Sequence, residues 1–350
     1  MLITHVLSES VDTGNIYLLK GVLERLWREF DFELIVPERS RALSILSGTR
    51  VKLTALPLGK DDDNMIRNIY IIGRHLRQTA PSVVHSHGSV CGSLATFLVS
   101  RGDVVAIKDY YASYLLRRVL SALSPRARLS LTLSYSPSDR DILVRAGVRD
   151  GSIVNVPYGV DVDIPTPEDG YFQSSVPIIS ASCSNGEECA LFLSAVSQLV
   201  RKRRLLAYVE APENMALYIR HLSSALGIGR CVVSFGIGAM PLECVRASFC
   251  FVLPSLRPSS IPIEAARFMS FGVPAVVPNT PRCLDLVRDG TSGAVYHFGD
   301  SFSLSAAVDR LLSRNGERDE LSRCARGKVV GSYSLDGAVL ALSSLYRSLA

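Results

Sequence analysis

The sequence lacks the spacings and runs that mark several classes of protein. None of the eight cysteines forms a CxxC pair, which argues against a zinc ribbon or a dithiol redox site. No uninterrupted run of about 18 apolar residues occurs, so no membrane-spanning helix is predicted. The opening MLITHVLSES lacks the charged start and apolar stretch of a signal peptide. We therefore expect a cytoplasmic protein with reduced cysteines, while peripheral attachment to a membrane stays open.

Charge is also scarce in this sequence. Charged residues make up 20% of the chain and the formal net charge is +5, which does not indicate a nucleic-acid-binding protein. Hydrophobic residues make up 47% of the 350 residues, so the chain is not of the disordered class. This length and composition suit two domains of ordinary size, each with its own core.

Short apolar runs alternate with longer stretches of helical period. LITHVL, FELIVP and SVVHSH are typical of buried strands, whereas NIYLLKGVLERLWREF and MIRNIYIIGRHLRQ carry apolar residues three and four apart. Such alternation is typical of parallel strands joined by crossover helices. It predicts an α/β fold built from doubly wound sheets.

One stretch without strand or helical period interrupts the alternation at residues 160–177, VDVDIPTPEDGYFQSSVP. Its Pro, Asp, Ser and Gly content is typical of a linker. We predict a first domain over residues 1–162, a linker over 163–177 and a second domain over 178–331. Ligands of open α/β sheets bind beyond the carboxyl ends of the strands, so the default site is a cleft between the two domains.

Four stretches, taken in order, resemble the retaining glycosyltransferases of family four, which have the GT-B fold. They are PSVVHSHG at 81–88, LSYSPSDRDILVRAGVRDGSIVNVPYGVD at 133–161, the segment 246–277, and VRDGTSGAVYHFGDSFSLSAAVDRLL at 287–312. The third is similar to the family pattern A..fvlPS...EAmA.G.PvV. The resemblance implies two Rossmann-like domains facing a cleft, with the closing helix in residues 332–350 packing back on the first domain. It also implies transfer of a sugar from a nucleotide-diphosphate-sugar donor to an acceptor with retention of anomeric configuration.

The resemblance gives Glu264 the central role in donor binding. In the family, the Glu at this position hydrogen-bonds the ribose hydroxyls of the nucleotide sugar, and a carboxylate can accept from both hydroxyls of a cis-diol. The first turn of a helix favours the ionised form. The backbone N–H groups of Ser259, Ser260 and Ile261 would then lie near the diphosphate. The alternative is a Glu that only complements its helix dipole.

Several donor-site residues of the family are replaced here. Ser182 and Asn185 stand where the family has an Arg and a Lys that neutralise the departing diphosphate, and the first Glu of the donor loop is absent. Fixed cations at a leaving group commonly contribute roughly a hundredfold or more in rate. We assign this role to Arg257, whose guanidinium can bind two phosphate oxygens. The alternative is a solvated loop arginine.

Two histidines and two glycines complete the candidate residues. His87 matches the acceptor-side His of the family and is expected to position the acceptor or bond the donor sugar, although a lone His in a strand is more often a core residue. His85 lies deeper on the same strand face and is interpreted as structural. Gly14 allows the backbone to approach the donor phosphates or simply forms a turn. Gly236 lies where the family's backbone touches the nucleotide base.

No metal ion is expected at the acidic run DDDN at 61–64, because this run precedes a helix, where acids serve as cap and dipole partners. No other cofactor is expected. The expected partners are a nucleotide sugar and an acceptor, whether glycan, lipid-linked or small molecule. Residues 110–129 carry four Arg and no acid among apolar residues, which suits contact with an anionic membrane or an ordinary helix with solvated Arg.

The absence of the family's donor-site Arg, Lys and first Glu motivates a hypothesis from another functional class. The protein would then be a non-catalytic GT-B relative that acts as partner or regulator of an active glycosyltransferase. Another two-domain α/β enzyme, such as a nucleotide-sugar epimerase of GT-B shape, is a third reading. Release of nucleoside diphosphate from nucleotide sugars, and its loss in Glu264→Ala, distinguishes the enzyme from the non-catalytic relative.

Overall fold

The computed structural model describes residues 1–8, 11, 13–59, 61–88, 90–99, 104–109, 129–163, 176–256 and 262–349. The chain divides into two compact units, Met1–Gly159 with Leu335–Ala350, and Val160–Ser334. The first unit therefore ends three residues before the boundary predicted at 162. Most of the predicted linker, residues 164–175, lies outside the described residues.

The first unit is built on a parallel sheet. In the described residues it has seven strands in the order β3-β2-β1-β4-β5-β6-β7. The strands are β1 Leu2–Leu7, β2 Asp31–Pro37, β3 Lys52–Leu56, β4 Val83–His87, β5 Val105–Asp109, β6 Leu129–Ser134 and β7 Ile153–Asn155. The helices are α1 Thr13–Leu26, α2 Arg41–Leu46, α3 Asp61–Thr79, α4 Val90–Val99, α5 Pro137–Arg145 and, from the end of the chain, α13 Leu335–Ser348. Nearly every residue of β1, β2 and β4 is buried, which is why these strands appear as continuous apolar runs in the sequence.

The closing helix α13 packs on α1 of the first unit. A Cβ on Gly21 of α1 would lie 2.8 Å from the side chain of Leu335, so the two helices approach closely there. Two ion pairs flank the contact, Arg25 with Asp336 at 3.2 Å and Arg347 with Glu29 at 2.7 Å. The expectation that the last helix joins the first domain is confirmed.

The second unit is a parallel sheet of the same type. Its six described strands follow the order β10-β9-β8-β11-β12-β13. They are β8 Ile178–Ser182, β9 Leu206–Ala211, β10 Val232–Gly236, β11 Cys250–Val252, β12 Ala275–Pro278 and β13 Gly293–Tyr296. The helices are α6 Gly186–Leu199, α7 Ala216–Ala225, α8 Leu242–Ala247, α9 Ile263–Ser270, α10 Pro281–Leu286, α11 Ser301–Leu312 and α12 Arg318–Ser332. The prediction of two doubly wound α/β domains is thus confirmed.

Two glycines fix the chain around β12. Gly272 takes φ 77° after α9, and its N–H bonds the carbonyl of Met269 at 2.9 Å, which ends the helix as the sequence indicated. A Cβ on Gly293 of β13 would lie 1.9 Å from the carbonyl oxygen of Ala275. Only a residue without a side chain allows β12 and β13 to pair there.

The structure adds two elements that the sequence pattern did not indicate, β3 and α2. The strand β3 is an edge strand whose residues are mostly exposed or half-buried, so it carries little apolar signal. The amphipathic segment 110–129 falls largely outside the described residues. Among the helices described, none is both long and apolar enough to cross a membrane.

Candidate functional site

Polar side chains gather at the carboxyl edge of the second unit's sheet. Ser182 ends β8 and pairs in register with Glu210 of β9, which in turn pairs with Phe235 of β10. Gly236 ends β10, and its carbonyl accepts from the N–H of Ala239 in the turn that follows. Parallel strands place these positions at one edge, where α/β sheets bind ligands.

Glu264 lies in the first turn of α9, as its place in the sequence predicted. The helix starts after Pro262, and no side chain caps it. Oε2 of Glu264 accepts a 2.8 Å hydrogen bond from Nε of Arg267, one turn later. The Glu264 side chain is 30% exposed, so the carboxylate is accessible to a ligand while held by the arginine.

Glu210 is the buried carboxylate of this edge. Its Oε2 accepts from Nη2 of Arg267 at 2.8 Å, and its Oε1 accepts from the N–H of Met240 at 3.3 Å. Burial raises the pKa of Glu210, and the nearby Arg267 guanidinium acts in the opposite direction. Although burial alone would lower the pKa of Arg267, Glu264 and Glu210 together raise it, so the guanidinium stays charged. One arginine therefore joins Glu210 and Glu264.

The spacing to Gly272 offers a second register for the family pattern. In EAmA.G.PvV the Glu precedes the Gly by five residues, whereas Glu264 precedes Gly272 by eight. Arg267 is the residue five positions before Gly272. Counted from the glycine, an arginine stands where the pattern has an acid, and the acid lies one helical turn earlier. The residues at these two positions, Arg267 and Glu264, form an ion pair.

Asn185 is the N-cap of α6. Its Oδ1 accepts from the N–H of Glu188 at 3.0 Å. The carboxylate of Glu188 accepts from the N–H of Ser184 at 2.7 Å and from that of Leu256 at 3.4 Å. Glu188 thus ties the loop after β8 to the loop after β11. The Asn185 oxygen is engaged within the protein, which leaves the side-chain amide N–H₂ group as the part suited to meet a phosphate.

The remaining donor-side candidates divide into two groups. Arg257, Ser259, Ser260 and Ile261 lie outside the described residues, so their roles stay predictions. Gly14 lies in the first turn of α1 in the first unit. A Cβ on Gly236 would meet only ordinary contacts at 3.7 Å and beyond, so the turn itself does not demand glycine there.

Three histidines share one face of the first unit's sheet. His5 of β1 lies in register with His85 of β4, and His87 follows two residues later. Nδ1 of His5 and Nε2 of His87 form a 2.7 Å hydrogen bond, and Nδ1 of His85 bonds the hydroxyl of Tyr346 on α13 at 2.8 Å. His85 is 1% exposed and His87 is 9% exposed, so His85 is the deeper of the two, as predicted.

A small cavity lies beside these histidines. It has a volume of about 30 Å³ and is lined by all three imidazoles and by apolar side chains, among them Leu19 of α1 and Leu342 of α13. This volume accommodates roughly two water molecules. The cavity reaches the imidazole of His87, the side chain that sequence reasoning placed on the acceptor side.

Within the described part of the chain, His5, His85 and His87 are the group with the donor atoms for a metal ion, since their nitrogens lie within 4.8 Å of one another. Two nitrogens on a tetrahedral zinc are about 3.3 Å apart, given Zn–N bonds of about 2.0–2.1 Å. The His5–His87 separation of 2.7 Å is shorter and is that of a hydrogen bond. The geometry therefore favours a hydrogen-bonded histidine pair.

Sequence reasoning missed four residues of these sites: His5, Glu188, Glu210 and Arg267. A capping-box signal, Asn185 followed three residues later by Glu188, was available in NGEE. His5 and Glu210 each lie in an apolar run, where a polar residue gives no local sign of its partner. Arg267 lies one turn after Glu264, a spacing that predicts an ion pair on a helix.

Two family models match the chain. The Glycosyltransferase Family 4 model matches residues 17–164, and the Glycosyl transferases group 1 model matches residues 176–314. An uncharacterized glycosyltransferase of Methanocaldococcus jannaschii is 19% identical over 295 residues, which cover 79% of this chain and 72% of the relative. The two models together span most of both units.

Solved structures of similar fold include two bacterial proteins. A glycosyltransferase from Rickettsia africae superposes with a TM-score of 0.81 at 15% identity, over 99% of this chain and 98% of the other. The Anabaena protein HepE, crystallised with UDP and glucose, superposes with a TM-score of 0.77 at 14% identity, over 99% of this chain and all of the other. At these identities the likeness shows a shared GT-B fold.

Proposed function

This chain belongs to the group 1 glycosyltransferases, and from that membership we propose that it transfers a sugar from a nucleotide-diphosphate-sugar donor to an acceptor with retention of anomeric configuration. The observation that carries the proposal is the placement of Glu264 in the first turn of α9, half-exposed and held by Arg267. A carboxylate so placed suits the two hydroxyls of a ribose.

The donor class is supported by a structural neighbour. Anabaena HepE was crystallised with UDP-glucose, and its fold matches this chain over 99% of the chain's length. A nucleotide sugar is therefore the donor class we propose here. In this proposal Gly236, at the end of β10, lies near the base, and Glu264 receives the ribose hydroxyls.

The chemistry requires stabilisation of the departing diphosphate. We assign this stabilisation to Arg257 and to the backbone N–H groups of Ser259, Ser260 and Ile261. Ser182 and Asn185 supply further hydrogen bonds to the nucleotide sugar. In retaining transfer the acceptor attacks the anomeric carbon of the sugar from the same face as the departing diphosphate. A phosphate oxygen of the leaving group can therefore take the acceptor's proton. Two residues of the first unit complete the proposal: His87 positions the reacting groups, and the backbone at Gly14 binds the donor phosphates.

The test is donor turnover with a matched pair of variants. Purified protein is incubated with UDP-, GDP- and ADP-sugars, and released nucleoside diphosphate is measured. Glu264→Gln should reduce turnover at least a hundredfold, since the donor loses a charge-assisted contact and its orientation. The control is Glu243→Gln, because Glu243 occupies the same first-turn position of α8 and is exposed.

Two outcomes count against the proposal. Turnover that Glu264→Gln leaves at the wild-type level excludes Glu264 from the donor site. A chain that binds nucleotide sugars without ever releasing nucleoside diphosphate would be the non-catalytic relative that acts as partner or regulator. Proton NMR of the product's anomeric signal then tests retention.

A further inference from the structure

Arg267 joins two carboxylates that come from different elements of the second unit. Its Nε donates to Oε2 of Glu264 on the same helix, and its Nη2 donates to Oε2 of Glu210 on β9, each at 2.8 Å. The side chain of Glu210 is 1% exposed, whereas those of Arg267 and Glu264 are 33% and 30% exposed. The three groups run from the buried sheet edge to the accessible start of α9.

Glu210 fixes Arg267 in place. A buried carboxylate without a partner is strongly unfavourable, so the folded unit retains the contact with Arg267. The other oxygen of Glu210 is held by the N–H of Met240 at 3.3 Å, which sets the orientation of the carboxylate. An exposed ion pair three residues apart on a helix contributes little by itself, but this one is anchored from below by a buried acid.

Arg267 in turn fixes one oxygen of Glu264. Its Nε bonds Oε2, while within the described residues no donor bonds Oε1. A free glutamate side chain loses rotamer entropy when a ligand orders it, and a side chain that is already held loses less. Glu264 is thus prepared to present Oε1 and the free side of Oε2.

We infer that Arg267 is a positioning residue that holds Glu264 for the two hydroxyls of the donor's ribose, with Glu210 as its buried anchor. The inference rests on the proposed function. The ligand expected at Glu264 is a ribonucleotide, because a 2′-deoxyribose has one hydroxyl fewer to donate to the carboxylate oxygens of Glu264. A site built to accept a hydroxyl discriminates against the analogue that lacks it.

The experiment measures the ribose preference of binding. UDP, GDP and ADP and their 2′-deoxy analogues are titrated calorimetrically into the full chain. We expect the wild type to prefer the ribonucleotide about tenfold, the effect of one hydrogen bond to a charged acceptor. Arg267→Gln should reduce the preference to less than about threefold, and Arg267→Lys should restore part of it. Arg220→Gln is the control, because Arg220 is exposed on α7.

A double variant guards against misfolding. Arg267→Gln leaves Glu210 buried with its partner charge removed, whereas Arg267→Gln with Glu210→Gln removes both charges. The double variant should fold, by circular dichroism and thermal melting, and should show the same lost ribose preference. A folded double or single variant that keeps the wild-type preference overturns the inference.

The Glu264→Gln variant separates this inference from the proposal beneath it. If Glu264→Gln loses the ribose preference and Arg267→Gln keeps it, Arg267 is not a positioning residue and the donor site at Glu264 stands. If Glu264→Gln itself keeps the wild-type preference, the ribose role of Glu264 fails and the inference fails with it.

Discussion

Nδ1 of His5 and Nε2 of His87 lie 2.7 Å apart, across the neighbouring parallel strands β1 and β4. One nitrogen donates and the other accepts, so the tautomer of His87 is tied to that of His5. His87 has a cavity at its side and a buried partner behind it. This arrangement holds the imidazole in one orientation.

Removal of the His87 imidazole should lower turnover without weakening donor binding. We expect His87→Ala to reduce the turnover number about a hundredfold, because the reacting groups lose the side chain that positions them, while affinity for nucleoside diphosphate stays within about twofold. His5→Leu should lower turnover in the same direction by less, since His87 keeps its place but loses its partner. Steady-state rates and calorimetric titrations measure the two effects.

The control for this series is His221→Ala, because His221 is exposed on α7 of the second unit. Its rate should equal that of the wild type. A His87→Ala protein with wild-type turnover would assign His87 to packing alone.

Chelation should leave the activity intact. The nitrogens of His5 and His87 are 2.7 Å apart, which is a hydrogen-bond distance and is shorter than the separation of two nitrogens on one zinc ion. We therefore expect that the activity does not require a metal. Turnover after dialysis against EDTA, together with metal content by mass spectrometry, measures this. Loss of activity that Zn²⁺ restores, but not in His5→Leu, would establish a metal site there instead.

Glu188 should be needed for stability of the second unit. Glu188→Ala removes the acceptor of the N–H groups of Ser184 and Leu256, so we expect a loss of about 2 kcal/mol in the free energy of unfolding. Urea denaturation followed by circular dichroism measures it. Glu187→Ala is the adjacent control, because Glu187 is exposed, and it should change stability by less than about 0.5 kcal/mol. Equal midpoints for the two variants would contradict the role of Glu188.

Much of this fold can be predicted from the sequence because parallel strands buried on both faces leave plain apolar runs. The run LITHVL corresponds to β1 from its first residue to its last. Gly272 predicts the end of α9 because glycine readily adopts a positive φ, and its φ in the structure is 77°. The edge strand β3 gives no such run, since its residues are mostly half-exposed. Local pattern therefore identifies the buried strands but missed this exposed edge strand.

The candidate site is predictable only in part for a different reason. Glu264 stands in a recognisable stretch, but Glu210, which Arg267 joins to it, lies 54 positions before Glu264 on strand β9. His5 and His87 are likewise 82 residues apart in sequence. Contacts of this kind arise from strand order, so they become visible once β9 lies near α9 and β1 lies beside β4.

Acid should destabilise the first unit through Glu33. Burial alone would raise the pKa of Glu33, but hydrogen bonds from Lys52, Thr54 and His75 outweigh it, so the pKa lies below the ordinary value of 4.5. The stability that these bonds contribute is fully present above about pH 4.5 and is lost as the pH falls through the lower pKa of the folded state. Glu33→Gln should be less stable at pH 7 and should lose less stability between pH 5 and pH 3.

The single tryptophan makes this measurable for one unit. Trp27 follows α1 in the first unit, so its fluorescence during urea denaturation reports that unit. If the wild type and Glu33→Gln lose the same free energy of unfolding between pH 5 and pH 3, Glu33 does not couple folding to acid.

The central claim is that the Glu264 carboxylate receives the ribose of a nucleotide-sugar donor. Saturation-transfer difference NMR with UDP- and GDP-sugars tests it directly, because it reports which ligand protons lie against the protein. We expect strong transfer to the H2′ and H3′ protons of the ribose in the wild type and, relative to the base protons, a marked loss in Glu264→Gln. Ribose signals that are equally strong in Glu264→Gln and the wild type would contradict the account.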